Sequence, residues 1–233
     1  MPEFAMLPHL SEIALSASKA VVGVSRAGER IFARVGDVDE HSIFRIASLT
    51  KTFTAVATVR AAAAAGVPLH TSVRQLMPPL KSRWSADRDI TVEHLLAQTS
   101  GLTPAVTAAD AAAVGEGDDA LLAVCEFVVR AGSDRRPGDR WEYYNGNYFL
   151  AGAVTAALAS CSYEDTLERL VLAPAGRLGG YRTAMLLLPR VEFAAVALAN
   201  DASALPAIAR VLSDLQEGVT GDDLTAAIAA FAA

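Results

Sequence analysis

The sequence predicts an α/β protein of the α+β type, with an antiparallel sheet built from both termini, flanked by helices, and a helical lobe inserted between its strands. Three observations carry that expectation. Two apolar, strand-like runs stand near the start, Ala20 to Val24 and Arg30 to Val35, separated by the turn signal Arg26-Ala-Gly-Glu29. Two more stand near the end, Tyr181 to Leu188 and Val191 to Ala199, broken at Pro189-Arg190. Between the pairs the apolar residues recur at helical spacing. Strands at both ends with helices between them fit a sheet completed by the last part of the chain. The expected layout is a single domain over 1–233, with a sheet lobe of about 1–46 and 177–233 and a helical lobe of about 47–176.

In chain order, Phe4 to Lys19 reads as an amphipathic helix, with Leu7, Leu10, Ile13, Ala14 and Ala17 near one face. After the first hairpin, Phe44-Arg-Ile-Ala-Ser-Leu-Thr-Lys51 opens a helix that runs through five alanines to Gly66, a natural stop. Thr91 to Gln98 reads as a short helix ended by Ser100-Gly101. Thr107 to Asp119, with Gly115 and Gly117, reads as a flexible loop. Leu121 to Arg130 and Phe149 to Ala159 read as helices, with Arg135-Arg-Pro-Gly-Asp139 a turn between them. Leu205 to Gln216 and Asp222 to Phe231 close the chain as helices.

Composition narrows the function classes. The 233 residues are 52% hydrophobic and 20% charged, with a net charge of −6 and a mean hydropathy of +0.31. That excludes a disordered chain. It also argues against a nucleic-acid partner, which a basic face would attract. Cys125 and Cys161 are too few for a disulfide framework and lack zinc-type spacing. Tyr143 to Tyr163 is uncharged and long enough to raise a membrane helix, but it opens on Tyr-Tyr-Asn-Gly-Asn and carries Ser160 and Ser162. A buried helix after a polar loop is the expectation, with no membrane partner. Met1 to Leu10 lacks a basic start followed by an apolar run. A cytoplasmic, reduced setting is therefore expected.

Three short patterns carry chemistry. Ser48-Leu-Thr-Lys51 puts a hydroxyl and an amine three residues apart, about 5–6 Å on one helix face. A serine hydroxyl needs such a base to become a nucleophile. Its plainer reading is an N-cap, but an N-cap is usually followed by an acid, and lysine has the wrong sign for the helix dipole. Tyr143-Tyr-Asn145 offers a phenol able to share a proton with a neighbouring lysine, and an amide able both to donate and to accept. Alone it also reads as an aromatic turn ahead of a buried helix. Arg177-Leu-Gly-Gly180 precedes a strand, where glycines let a backbone N–H approach an oxyanion. Alone it also reads as a glycine turn. His9, His41, His70 and His94 show no metal spacing, so they read as surface or structural residues and no metal is expected.

Together, in this order, the three patterns resemble the serine β-lactamase and penicillin-binding-protein superfamily, in its class C β-lactamase-like esterase and D-aminoacyl peptidase branch. Phe44-Arg-Ile-Ala-Ser-Leu-Thr-Lys-Thr-Phe-Thr-Ala55 is similar to that family's nucleophile segment. Leu69-His-Thr-Ser-Val-Arg-Gln-Leu-Met-Pro78 and Ile90-Thr-Val-Glu-His-Leu-Leu-Ala-Gln-Thr-Ser-Gly-Leu102 are similar to two further segments. Pro137-Gly-Asp-Arg-Trp-Glu-Tyr-Tyr-Asn145 is similar to its Tyr-x-Asn block, and Leu172-Ala-Pro174 to the helix after it. The resemblance implies a β-lactamase/transpeptidase-like fold and a serine hydrolase or acyl-transferase. In that family's scheme, Ser48 is the acylated nucleophile and Lys51 its proton acceptor. Tyr143 is the general acid/base, and Asn145 orients Lys51 and substrate. The N–H groups of Ser48 and Gly180 form the oxyanion hole, with Arg177 and Gly179 on the substrate. It implies no cofactor, and a small ester, amide or thioester as acyl substrate.

Two departures stand out. The family carries Lys or His, then Thr or Ser, then Gly at its third motif, where Arg177-Leu178-Gly179 stands here. The long segment that the family usually has before that strand is almost absent. A more open site follows, or one closed by a second subunit. If the shortening exposes apolar surface, a homo-oligomer should cover it. The same departures keep a second reading open, a catalytically impaired binding or scaffold protein.

Overall fold

A computed structural model describes residues 17–26, 29–39, 42, 44–173, 182–188, 193–199 and 205–220. The chain divides into two compact units, Lys51–Arg177 and the pair Met1–Thr50 with Leu178–Ala233. The expected helix over Phe4 to Lys19 lies outside the described residues except for Ala17 to Lys19, which lead into the first strand. The two hairpin tips and the expected helix Asp222 to Phe231 also lie outside them.

The helical unit begins with α1 (Thr50–Ala64), so the helix starts two residues after Ser48 rather than ahead of it. Its buried residues are Thr54, Ala57, Thr58, Ala61 and Ala62, the i, i+3, i+4, i+7, i+8 stripe of one helix face. Short α2 (Val73–Leu76) and α3 (Val92–Leu96) follow. Thr91 caps α3: its hydroxyl accepts from the His94 N–H, and His94 Nδ1 accepts from the Thr91 N–H. His94 is thus a structural residue, as the sequence suggested.

The loop expected over Thr107 to Asp119 is instead helical over much of its length. Helix α4 (Ala108–Val114) starts at a reciprocal cap, in which Asp110 Oδ2 accepts from Thr107 N–H at 2.8 Å and Thr107 Oγ1 accepts from Asp110 N–H. Gly115 and Gly117 take positive φ and separate it from α5 (Gly117–Ala131). The glycines mark a joint between two helices, and the cap chemistry outweighs the low-complexity composition.

Helix α6 (Asn145–Ala159) buries Asn147, Leu150, Ala151, Val154 and Thr155 along with its glycines. Helices α2, α3, α5 and α7 (Tyr163–Leu167) pack against it. Its 15 residues are fewer than the roughly 20 that a bilayer requires, and no helix among the described residues is long and apolar enough to cross a membrane. The core around α6 gathers Ile90, Val92, Leu95, Cys125, Val128, Leu150 and Val154, all fully buried. Burial pushes the Cys125 thiol far above its usual range, so it behaves as a small apolar side chain.

The sheet unit pairs β1 (Ala20–Arg26), β2 (Glu29–Val35), β3 (Arg182–Leu188) and β4 (Phe193–Ala199) in the order β2-β1-β4-β3, antiparallel throughout. The sheet is thus built from both ends of the chain, as the sequence predicted, and the structure adds that the first strand pairs with the last. Ala20, Val22 and Val24 are buried, and their partners in the ladder are Ala199, Ala197 and Ala195. Helix α8 (Leu205–Thr220) packs on β3 and β4 and brings Ile208, Val211, Leu212 and Leu215 into the same apolar cluster. Each such side chain taken out of water stabilises the unit by about 1.5–3 kcal/mol.

Candidate active site

Ser48 sits in the sheet unit, exposed, in the 3₁₀ turn Ala47–Leu49. That turn lies against β3, the strand that follows the third candidate motif. Ala47, immediately before Ser48, has φ +45°, a left-handed conformation that costs a residue with a Cβ about 1–2 kcal/mol. Such strain persists only where surrounding structure holds it. The expectation of a continuous helix from Phe44 is corrected here: the chain enters α1 through a tight, strained turn, and Ser48 is on that turn.

Within the helical unit, the structure brings Lys51, Tyr143 and Asn145 together. Lys51 lies in the first turn of α1. Its Nζ donates to Tyr143 Oη and to Asn145 Oδ1, each at 2.7 Å, across more than 90 residues of sequence. Tyr143 Oη and Asn145 Oδ1 are 3.4 Å apart. Lys51 Nζ also stands 4.8 Å from the centroid of the Tyr143 ring and 5.7 Å from that of Tyr148, the range of a cation–π contact. A lysine at a helix N-terminus faces the positive end of the dipole; here two oxygens and two aromatic rings hold it in place. Burial first, then the neighbouring Tyr143, raises the Tyr148 hydroxyl above the usual phenol range. Tyr148 instead donates to the Leu96 carbonyl. Tyr143, 47% exposed, is the more exposed tyrosine of this cluster; Tyr148 is half-buried.

The Tyr143–Asn145 segment is held from behind by residues to which sequence reasoning assigned no role. Gln98 Oε1 accepts from the Tyr144 N–H at 3.0 Å and from Asn147 Nδ2 at 2.6 Å. Ser100 Oγ donates to Asn147 Oδ1 and accepts from the Leu102 N–H. Backbone bonds join the same turn to the segment before Tyr143: Glu142 N–H to Gln98 O, Gly138 N–H to Thr99 O, and Asp134 N–H to Gly101 O. Gln98, Ser100 and Asn147 are all buried, and a satisfied buried polar network of this kind specifies one arrangement. The only sequence signal was the segment Gln98-Thr-Ser-Gly101 itself, quoted above for its resemblance.

Two glycines are required by close approach. A Cβ on Gly101, which has φ +70°, would stand 2.4 Å from the Arg135 carbonyl oxygen. A Cβ on Gly146 would overlap the Tyr144 ring, whose hydroxyl accepts from the Val106 N–H. Gly146 thus lets Tyr144 fold inward while Tyr143 and Asn145 on either side of it meet Lys51. The remaining candidates, Arg177, Gly179 and Gly180, lie outside the described residues.

Residues 14–179 match the sequence profile of the family described as Beta-lactamase. The protein flp of Staphylococcus aureus strain N315 is 31% identical over 132 residues, 56% of this chain and 26% of flp. The chain thus spans about a quarter of the length of that curated relative. Among solved structures, a D-stereospecific amidohydrolase from Streptomyces sp. superposes with a TM-score of 0.59 at 23% identity, covering 91% of this chain and 75% of its own. A structure described as the octameric penicillin-binding protein homologue from Pyrococcus abyssi gives 0.59 at 18% identity, covering 90% and 53%. At these identities the two structures speak for the fold. With the profile spanning most of the sequence, the chain belongs to the beta-lactamase family.

Proposed function

We propose that this chain is a serine hydrolase or acyl-transferase that works through an acyl-enzyme on Ser48, with a small ester, amide or thioester as acyl donor. The observation that carries the reading is Lys51 Nζ held at 2.7 Å by both Tyr143 and Asn145, on the residue three places after the candidate nucleophile. A neutral amine keeps two N–H bonds, enough for both of these contacts, and one lone pair that can accept a third proton. In the proposed sequence that lone pair takes the Ser48 proton as Oγ forms a bond to the acyl carbon. The carbonyl π electrons move onto oxygen, where the N–H groups of Ser48 and Gly180 would receive the negative charge. When the tetrahedral intermediate collapses, Tyr143 gives the departing group its proton and recovers one from Lys51. Water or another acceptor then releases the acyl group by the reverse relay. Asn145, with Oδ1 on Lys51, has Nδ2 as its donor for a substrate carbonyl.

Intact-protein mass spectrometry tests this. Wild type mixed with a fluorophosphonate, and separately with activated esters and β-lactams, should gain the mass of one adduct, and Ser48→Ala should gain none. Adduct formation on Ser48→Ala would remove Ser48 from the mechanism. No adduct on folded wild type with any probe would favour the second reading, a binding or scaffold protein, which the replacement at Arg177-Leu178 supports. We also infer a homo-oligomer. The P. abyssi homologue is described as octameric, and Phe32 on β2 is 71% exposed. A monomer by light scattering at high concentration would count against that.

A further inference from the structure

Helix α1 contributes no residue to the apolar core around α6 described above. Its buried face is Thr54, Ala57, Thr58, Ala61 and Ala62, small side chains that give little shape by which to fix one helix against another. Besides Lys51 at its start and Arg60, which donates to the Leu170 carbonyl, a pair of hydroxyl contacts joins α1 to its neighbours. Thr54 Oγ1 meets Tyr163 Oη, at the start of α7, at 2.7 Å, and Thr58 Oγ1 meets Thr155 Oγ1, on α6, at 2.7 Å. Thr58 and Thr155 are fully buried. Each also lies 2.7 Å from a carbonyl one turn back in its own helix, Thr54 O and Ala151 O. Two hydroxyl protons serve three short contacts, so the contact across the gap is a hydrogen bond whenever one threonine turns its proton from its own carbonyl to the facing hydroxyl. Lys51, Thr54 and Thr58 stand at i, i+3 and i+7, on one face of α1. Asn145 and Thr155 stand on the same helix, α6.

We propose that this hydroxyl clasp is a positioning device: Thr58–Thr155, supported by Thr54–Tyr163, sets the spacing of α1 from α6 that brings Lys51 Nζ to Asn145 and Tyr143. It rests on the functional reading above for its consequence, not for its geometry. The physical reason is distance. Two hydroxyl oxygens meet at 2.7 Å, whereas two methyl groups come no closer than about 3.5–4.0 Å. Replacing both threonines by valine keeps their shape but forces the helices apart by about 1 Å. A hydrogen bond stretched by that much from 2.7 Å is no longer one. Misplacement by about 1 Å costs a reaction roughly a hundredfold.

The test compares wild type with Thr58→Val, Thr58→Ser and Thr58→Val/Thr155→Val on two readouts. The chain has three lysines, Lys19, Lys51 and Lys81, so ¹⁵N labelling of lysine gives three Nζ signals, that of Lys51 identified by its loss in Lys51→Arg. In wild type the Lys51 signal should be slowed in exchange with water by its two bonds. In the double valine variant it should broaden and move toward the signals of exposed Lys19 and Lys81, and fluorophosphonate acylation should fall roughly 10- to 100-fold. Thr58→Ser should restore both. A double valine variant that folds and keeps the wild-type Lys51 signal overturns the clasp, as does Thr58→Ser behaving like Thr58→Val. Should the double variant fail to fold, the single Thr58→Val decides on the same readouts. If wild type is never acylated, the functional reading fails alone, and the Lys51 signal still decides the clasp.

Discussion

The sheet unit and the helical unit achieve order by different means. In the first, backbone ladders fix register, and the buried face of β1 and β4 is made of alanine and valine under Ile208, Val211, Leu212 and Leu215 of α8. Exact side-chain position matters little there, because apolar burial has no direction. In the second, chosen side-chain atoms are held at set distances: Gln98 to Tyr144 and Asn147, Thr58 to Thr155, Lys51 to Tyr143 and Asn145. Proton transfer requires donor and acceptor within hydrogen-bond reach. The unit that carries the proposed proton-relay residues accordingly holds them by directional contacts.

That contrast breaks most sharply at Ile208. It is fully buried against the sheet, and Ile208→Ala removes apolar contact and leaves a cavity. The expected loss is about 2–5 kcal/mol, read by urea denaturation. Because the lost contacts are apolar and lie within the sheet unit's own cluster, acylation per folded molecule should hold near the wild-type rate. A variant of nearly wild-type stability, or one folded but inert, would erase the distinction between the two units.

Gln98→Ala probes the other side. It leaves the Tyr144 N–H and Asn147 Nδ2 buried without their acceptor, at about 1–3 kcal/mol. Here stability and rate should fall together, since the freed segment contains Tyr143 and Asn145. Gln98→Glu, which keeps an acceptor oxygen, should recover part of each. Loss of stability with an unchanged acylation rate would show that the buried network holds the fold without placing the chemistry.

How much of this was legible in the sequence divides along the same line. The sheet could be read because apolar runs and hairpin turns are local signals, and their places near the two ends gave a sheet built from both termini, though not which strand pairs with which. Ser48, Lys51, Tyr143 and Asn145 could be named as candidates because their short patterns, in this order, resemble those of a known family. The partners of those residues could not. Gln98 is 46 residues from Tyr144 and 49 from Asn147, and a buried glutamine has no local mark that says which amide it serves. Thr54 and Thr58, in Thr-Ala-Val-Ala-Thr, carry no local mark of the hydroxyls they meet until the facing helices are known. The turn at Ser48 reads in sequence as the first turn of a helix, because nothing in Ile46-Ala47-Ser48 announces that Ala47 adopts φ +45°.

Helix α4 is the opposite case, an element whose local cap signal outweighs its loop-like composition. Thr107 and Asp110 form a reciprocal cap, and hydrogen bonds from Thr107, first to its side chain and then to its backbone, hold the Asp110 carboxyl below its ordinary value of 3.8. A carboxylate whose folded value is depressed contributes stability above the unfolded value and loses it as pH falls through the folded one. The cap should therefore be whole at neutral pH and fail only in strong acid, freeing the start of α4 while the buried core around α6 stays protected. Amide exchange at Ala111, whose N–H bonds to Thr107 O, should quicken on acidification beyond what the intrinsic rate allows. Asp110→Asn keeps an acceptor without the charge and should flatten that dependence. If Ala111 and the amides of α6 open together at every pH, α4 is no separate local element, and the helical unit is ordered as one piece from Thr107 to Ala159.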